Sequence, residues 1–507
     1  MGENYLLFQT RGVNSYLYDT ATNSVHPLNP PLDAEITTRL YAAKDGRELQ
    51  KIIHQKCQSN EKLLFYIRLW RANTGAFCNS RPPSSLSFQR LTDIPPEKRG
   101  PAWMSDLVLI ASEVCNMRCA YCCYSSLYSG YRIHAIRQMP WEVVRKAIDW
   151  FYHYNDELSC YGYPDRNLNI IFYGGEPFLN FKLIQRSMLY AEQAKQDHYG
   201  LVLNISTNLT LMKEEYLPFL RNHKVFLNVS LDGPPEEHDK YRSFINGMPT
   251  HKIVVSNLEK IRRFDDNYYF NRVRLLTTLN GNSNAFLIYK YFEERKKEFP
   301  PFLMVNFIKD LAFSQFHQIY PFNKELFIQN IDKVINSYIE HKLQGKHFFK
   351  GDFCYHFIED PLVNVFQRIH SYGLASPPWY TGTCLPGRKL AVTPDGRFHI
   401  CERINEHFPI GDVEKGIDEN KIMGVVNKYF QNLPDCHLCW ARNLCTICYA
   451  TACTKGGFDF TFHCESALKS IKANLILLYS ILEKRQDAFS SKDALIQRSA
   501  NLYKWPT

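Results

Sequence analysis

Leu107-Val-Leu-Ile-Ala111-Ser-Glu-Val-Cys115-Asn-Met-Arg-Cys119-Ala-Tyr121-Cys122 is the stretch that decides how this chain is read. An unbroken apolar run of strand length suits a strand buried on both faces, as in a parallel sheet. Directly behind it stand cysteines at C-x3-C-x2-C spacing, with Cys123 adjacent. Three thiolates on one short loop are what a four-iron four-sulfur cluster needs when one iron is left open. Structural zinc asks for four ligands, and this loop supplies three. Buried cysteines acting as small apolar residues are the plainer alternative.

Outward from this stretch the chain alternates strand and helix between residues 104 and 310. Strand-like runs follow at Leu168–Tyr173, Val202–Ser206, Val225–Leu231, Val273–Leu279 and Leu303–Ile308. Helical patterns lie between them at Trp141–Asn155, Phe181–Asp197, Lys213–Asn222, His251–Phe264 and Asn284–Lys297. Strands spaced by helices imply right-handed crossovers and a parallel α/β sheet, here a partial six-unit (β/α) barrel. Chemistry in such a barrel gathers at the C-terminal ends of the strands.

The cysteine spacing at the first strand end resembles that of the radical S-adenosylmethionine (SAM) superfamily, whose pattern Tyr121 also matches. The resemblance implies that Cys115, Cys119 and Cys122 hold a cluster whose open iron is chelated by SAM. Tyr173-Gly174-Gly175-Glu176-Pro177 looks like that family's GGEP motif, which implies that Gly174, Gly175 and Glu176 hold the SAM amino group. Ser230-Leu-Asp232-Gly-Pro-Pro-Glu-Glu-His238-Asp-Lys-Tyr-Arg242 resembles a stretch of its peptide-modifying members. Ser230 would then contact the SAM ribose, Asp232 would lie in the same cofactor site, and Arg242, a planar fork, would pair with the SAM carboxylate. A surface ion pair of Arg242 with Glu236 or Asp239 is the alternative. Ser206 and Asn208, polar where the third strand runs out, are expected in the same pocket.

A second cysteine region spans 384–485. Cys384 is followed by eleven residues, Gly396, four residues and Cys401; then come Cys436, Cys439, Cys445, Cys448, Cys453 and Cys464. This resembles the SPASM extension of radical SAM enzymes, which holds two auxiliary four-iron four-sulfur clusters, making three in all. The resemblance implies an inner cluster on Cys384, Cys401 and a later cysteine, and an outer one on Cys436, Cys439, Cys445 and Cys464. Cys448 and Cys453 both compete for the inner cluster, with Cys448 the nearer match. Cys354 is the upstream alternative, better read as a buried thiol. Glu402 lies where sulfatase-maturing members carry an aspartate proposed to take the substrate's proton.

The remaining segments are organised around these two. Residues 1–78 run as short strands (Tyr5–Gln9, Val13–Tyr18, Val25–Leu28) and then helices (Leu32–Ala43, Glu48–Cys57, Glu61–Asn73), a winged-helix-like pattern. It looks like the leader-peptide recognition elements of enzymes that modify ribosomal peptides. Residues 79–103 are a Pro-rich linker, 311–383 a helical bridge, and 486–507 a tail after a closing helix at 465–485. The 507 residues carry a formal charge of +9, too mild for a dedicated nucleic-acid binder. No signal peptide or membrane span is legible, so a cytoplasmic enzyme is expected. Sixteen cysteines there call for metal or redox chemistry rather than disulfides. The combined reading is a radical SAM/SPASM maturase that oxidatively crosslinks a precursor peptide bound through its leader. Its electrons would come from a flavodoxin or ferredoxin. The rivals are an anaerobic sulfatase-maturing enzyme and, from another class, a zinc-organised winged-helix regulator.

Overall fold

The computed structural model describes residues 5–20, 23–28, 104–125, 127, 132–159, 166–308, 316–368, 388–431, 436, 439–454 and 456–489. The helices expected at 32–73, the linker at 79–103, Cys384 and the tail after 489 lie outside the described residues.

Six strands follow the sequence expectation within a few residues: β4 (Asp106–Ser112), β5 (Arg166–Gly174), β6 (Tyr199–Thr207), β7 (Phe226–Ser230), β8 (Val273–Leu279) and β9 (Leu303–Phe307). They pair in parallel in chain order. The crossovers are α1 (Trp141–Ser159), α2 (Phe181–Ala194), α3 (Leu217–Asn222), then α4 (Pro235–Tyr241), α5 (His251–Phe264) and α6 (Asp266–Arg272) together, and α7 (Ala285–Glu294). Every residue of β4 is buried, as a strand covered on both faces requires. Val144, Ile148 and Phe151 of α1 and Ile184, Met188 and Ala191 of α2 join its core. Their three- and four-residue spacing puts one apolar stripe of each helix on the sheet.

The sheet does not stop at the barrel. β10 (Lys389–Val392), from the cysteine-rich region, pairs in parallel with β4, with Lys389 opposite Asp106. β11 (Arg397–His399), β12 (Gly411–Asp412) and β13 (Gly416–Ile417) extend it antiparallel, to ten strands. The sequence reading set 104–310 and 384–485 apart, whereas one sheet runs through both. Two apolar hairpin strands have too little surface to form a core alone, and the open edge of β4 offers them one.

Residues 5–28 form an antiparallel meander of β1 (Tyr5–Gln9), β2 (Ser15–Asp19) and β3 (Ser24–Leu28). It packs on the C-terminal helix rather than on the barrel mouth. Phe8 and Tyr16 stack at 5.6 Å, and both meet Tyr479 of that helix at 5.9 and 5.0 Å. Thr10 Oγ1 donates to Glu483 at 2.7 Å and Arg11 N to Ser480 at 2.9 Å. Thr20 Oγ1 donates to the Trp440 carbonyl at 2.8 Å, which ties the meander to the cysteine region as well. The bridge contains α8 (Lys324–Leu343) and α9 (Asp360–Phe366), followed by α10 (Glu419–Gln431) and the closing helix α11 (Thr461–Leu482). No helix among the described residues is long and apolar enough to cross a membrane.

Because β10 covers the edge of β4, a chain ending at residue 383 is expected to leave a long apolar edge unpaired and to aggregate. Size-exclusion chromatography against the full chain checks this; a monomeric truncated chain would contradict it.

Candidate active site

The cysteine loop is held as though it were one more strand. Arg118 N donates to the Ser243 carbonyl and Ala120 N to the Tyr241 carbonyl, both at 2.9 Å, and Met117 bridges Phe244. The segment after α4 therefore runs antiparallel to Asn116–Ala120. Tyr241 and Phe316 cap the loop from outside, packed against Ala120 and Tyr121.

On the other side the loop's entry is clamped by the end of β5. Gly175 N donates to the Ser112 carbonyl at 2.6 Å and Glu176 N to the Val114 carbonyl at 2.9 Å. Sequence reasoning gave the two glycines the task of approaching a ligand; the structure shows what they approach. A Cβ on Gly174, at φ +135°, would sit 2.1 Å from the Ser112 carbonyl oxygen, and one on Gly175 2.3 Å from that of Val114. The glycines let β5 close on the backbone that carries Cys115.

Glu176 is fully buried, and its carboxylate accepts from Thr207 Oγ1 at 2.7 Å, Asn208 N at 2.8 Å and Phe178 N at 3.0 Å. Burial raises its pKa, against the pull of these donors. Its side chain thus fastens the end of β5 to the end of β6, leaving a ligand ammonium its remaining lone pairs. Asn208 continues the chain of contacts: its Nδ2 donates to Asn116 Oδ1 at 3.0 Å and lies 3.9 Å from Cys115 Sγ.

Asp232, Tyr121 and Arg242 form a second lock, all buried or nearly so. Tyr121 Oη donates to Asp232 Oδ2, Arg242 Nη1 donates to Tyr121 Oη at 2.8 Å, and Thr278 N donates to Asp232 Oδ1 at 2.8 Å. Arg242 stands 4.0 Å from Asp232, so neither Glu236 nor Asp239 is its partner. Asp239 instead accepts from Thr250 N and His251 N at the start of α5. Ser206 and Ser230 are half-buried at the ends of β6 and β7, in the same ring of strand ends. Thr207 is expected with Ser206 and Asn208 to line the pocket; the sequence assigns no role to Thr278 or to His238, whose Nδ1 accepts from Asp232 N at 3.1 Å. His238 stands in the quoted Ser230–Arg242 run, and Thr278 has no signal beyond its place near a strand end.

The donor set fits an iron-sulfur cluster and a carboxylate-bearing cofactor. Burial pushes the Cys115 thiol up to about 12 and raises Cys119 too, against the opposing pull of Arg242, so these sulfurs become thiolates only beside strong positive charge. The Arg242 side chain is buried, and its Nε has no hydrogen-bond partner, a donor left for a ligand acceptor. No three His, Cys, Asp or Glu side chains among the described residues are grouped to hold a single ion; a cluster takes one thiolate per iron.

In the second cysteine region, burial, and after it the charges of Cys445 and Cys439, raise the thiol of Cys464, on the first turn of α11, to about 11. Cys436 sits one turn from Cys439, whose N–H donates to its carbonyl at 3.2 Å. Cys453 is buried against the backbone of Asn405 on the loop after Cys401, and Asn405 Nδ2 donates to the Thr454 carbonyl at 2.9 Å. Cys448 begins the turn Tyr449–Ala452, its carbonyl accepting from Thr451. Cys354 is a buried thiol in the main core.

Glu402 is buried beside Cys401 and pairs with Lys389 Nζ at 3.3 Å and Arg403 Nε at 3.7 Å. Burial alone would raise its pKa, but the two cations outweigh it and hold the carboxyl near 2. Lys389 is the first residue of β10, opposite Asp106 of β4, so the sheet extension is what sets this ion pair beside the barrel sheet.

Residues 109–271 match the model of the radical SAM superfamily, and this barrel is a radical SAM domain. The chain is accordingly an enzyme that carries a radical SAM domain, a kind of domain that uses SAM and a four-iron four-sulfur cluster. Among its relatives, the cysteine-type anaerobic sulfatase-maturating enzyme of Clostridium novyi (strain NT) is 24% identical over 320 residues, 62% of this chain and 77% of that protein. The radical SAM cyclopropyl synthase TigE of Paramaledivibacter caminithermalis is 25% identical over 181 residues, 35% of this chain and 36% of that one. The solved structure of native anSMEcpe with bound AdoMet and Cp18Cys peptide shares the fold, with a TM-score of 0.55 at 20% identity, covering 79% of this chain and 99% of that one.

Arg242→Met would strand Asp232 as a buried unpaired charge and is expected to cost about 3–5 kcal/mol of stability. Tyr121→Phe, which removes a neutral partner, is expected to cost about 1–3 kcal/mol. Denaturant unfolding of the two variants should give this order; equal losses would contradict an ionic lock.

Proposed function

We propose that this enzyme oxidises a residue of a peptide substrate inside the barrel, using one SAM-binding cluster and two auxiliary clusters. The cofactors, when bound, supply a 5'-deoxyadenosyl radical that takes hydrogen from an unactivated carbon and a sink for the electron left behind. Cys115, Cys119 and Cys122 would hold the first cluster. Tyr121, Gly174, Gly175, Glu176, Ser206, Asn208, Ser230, Asp232 and Arg242 would form the SAM pocket, Arg242 offering its free Nε–H to the carboxylate.

For the inner auxiliary cluster we assign Cys384, Cys401 and Cys453. The contact of Cys453 with Asn405, four residues past Cys401, favours it over Cys448. Cys436, Cys439, Cys445 and Cys464 are assigned to the outer cluster, supported by the proximity of the last three. The 384–485 region is read as a SPASM extension on the strength of these groupings, and residues 1–78 as a leader-binding element. In that element the meander would take the leader as an added strand.

The observation that carries the reading is Glu402, a buried carboxylate kept ionised next to Cys401 by its pair with Lys389. A weakly basic carboxylate held there accepts the proton of a substrate that loss of an electron has made strongly acidic. Crosslink formation in a precursor peptide is the product class proposed first. Formylglycine formation on a sulfatase cysteine is the second, favoured by relatives named as sulfatase-maturating enzymes that align over most of their own length.

Anaerobic incubation with SAM, dithionite and either a genomically adjacent small peptide or a cysteine peptide from a sulfatase separates them. A loss of two hydrogens with a new crosslink supports the first, and an aldehyde trapped by a hydrazide supports the second. Reconstituted protein is expected to hold about twelve irons in three clusters. A colourless zinc protein would instead support the regulator. Cys115→Ala is expected to abolish 5'-deoxyadenosine formation. Glu402→Gln is expected to lower product formation by about 10²–10⁴-fold while 5'-deoxyadenosine formation persists, measured by chromatography of both products.

A further inference from the structure

Arg132 is 2% exposed, and its guanidinium meets only the Tyr124 hydroxyl, which leaves most of its five N–H donors without a partner. Glu406 Oε1 stands 3.9 Å from Nη1, beyond hydrogen bonding. Glu406 is also drawn by Arg137 at 3.8 Å and Arg397 at 3.4 Å. The other acids nearby are engaged. Glu113 takes a two-pronged bond from Arg137 at 2.7 and 3.0 Å, and Asp395 accepts from Arg397 at 2.7 Å and from Thr393.

Its neighbours have bonding capacity to spare. The Tyr124 hydroxyl faces the guanidinium of Arg132 and has no further partner, and both ring nitrogens of His399 are buried without hydrogen-bond partners. Phe398 packs on Trp150 of α1 at 5.1 Å, so Arg397 and His399, its neighbours along β11, face the opposite way. His134, two residues past Arg132, donates its N–H to the Tyr124 carbonyl at 3.0 Å, so the guanidinium lies beside the cysteine loop.

A buried cation with its donors unmet destabilises the free protein unless a ligand completes it. A planar fork of N–H groups matches a carboxylate through two parallel bonds, and the Tyr124 hydroxyl and an imidazole N–H are further donors. We propose that Arg132, with His399 and Tyr124, forms a carboxylate-binding subsite of the reaction chamber, taking an acidic side chain or the C-terminal carboxylate of the substrate. The subsite rests on the peptide reading of the substrate, and it would fix which residue is presented for oxidation by gripping an acid nearby.

The test is thermal melting of the anaerobically reconstituted full chain and its Arg132→Met and Arg132→Lys variants, which needs no turnover. Acetate is compared with chloride at equal ionic strength. Three blocked tripeptides then identify the source of the carboxylate: Ala-Glu-Ala amide, Ala-Gln-Ala free acid, and Ala-Gln-Ala amide. The wild type is expected to melt about 2 °C higher with acetate and with one of the two acidic peptides, and unchanged with the neutral one. Arg132→Met is expected to lose that rise and, free of ligand, to melt above the wild type. Arg132→Lys is expected to keep part of the rise. A shift with acetate but with neither acidic peptide would support the subsite and count against the peptide reading. The proposal is overturned if no carboxylate shifts the wild type, if the neutral peptide does as well as the acidic ones, if the rise survives in Arg132→Met, or if that variant melts below the wild type, as loss of a structural arginine would make it.

Discussion

Two buried carboxylates, Glu176 and Asp232, hold the loop of Cys115, Cys119 and Cys122 in place. Each is removed from water and then bonded by groups from a different strand end: Thr207 and Asn208 from β6, Thr278 from β8, and Tyr121 from the loop itself. Burying a charge is unfavourable unless such partners are all present at once. The strand ends therefore converge as a unit or not at all. A loop that would otherwise wander is made into a rigid mount for three thiols.

The same economy appears at the far side of the barrel. β10 closes the edge of β4 and, in doing so, brings Lys389 and, through β11, Cys401 and Glu402 together beside it. What the sequence suggests is a separate cysteine-rich appendage is structurally a continuation of the sheet. Covering an open edge and supplying a reactive carboxylate are one act of folding.

The parallel strands and their helices were legible because strictly apolar runs alternate with helical periodicity, and burial on both faces leaves little other choice. The cysteine loop was legible from spacing alone. The task of Gly174 and Gly175 was legible only in part: the residue type signals close approach of backbone, but not to what. The alternative for Arg242, a surface ion pair, looks to exposed acids because sequence neighbours are visible and the cross-strand partner Tyr121 is not. β10 was missed as a barrel strand because Leu390, Ala391 and Val392 are too short a run to call attention to themselves. Cys453 against Asn405 depends on a contact between two loops, for which no periodicity exists.

The docking of the N-terminal meander on the last helix has a bearing on biosynthesis. Thr10 meets Glu483 across 473 residues of chain. At about 5–20 residues per second of translation, the first strands wait on the order of half a minute or more for the surface they settle on. Until then Phe8 and Tyr16 lack Tyr479, and Thr20 lacks the Trp440 carbonyl, so seating of the N-terminal strands belongs to a late, post-translational stage of folding.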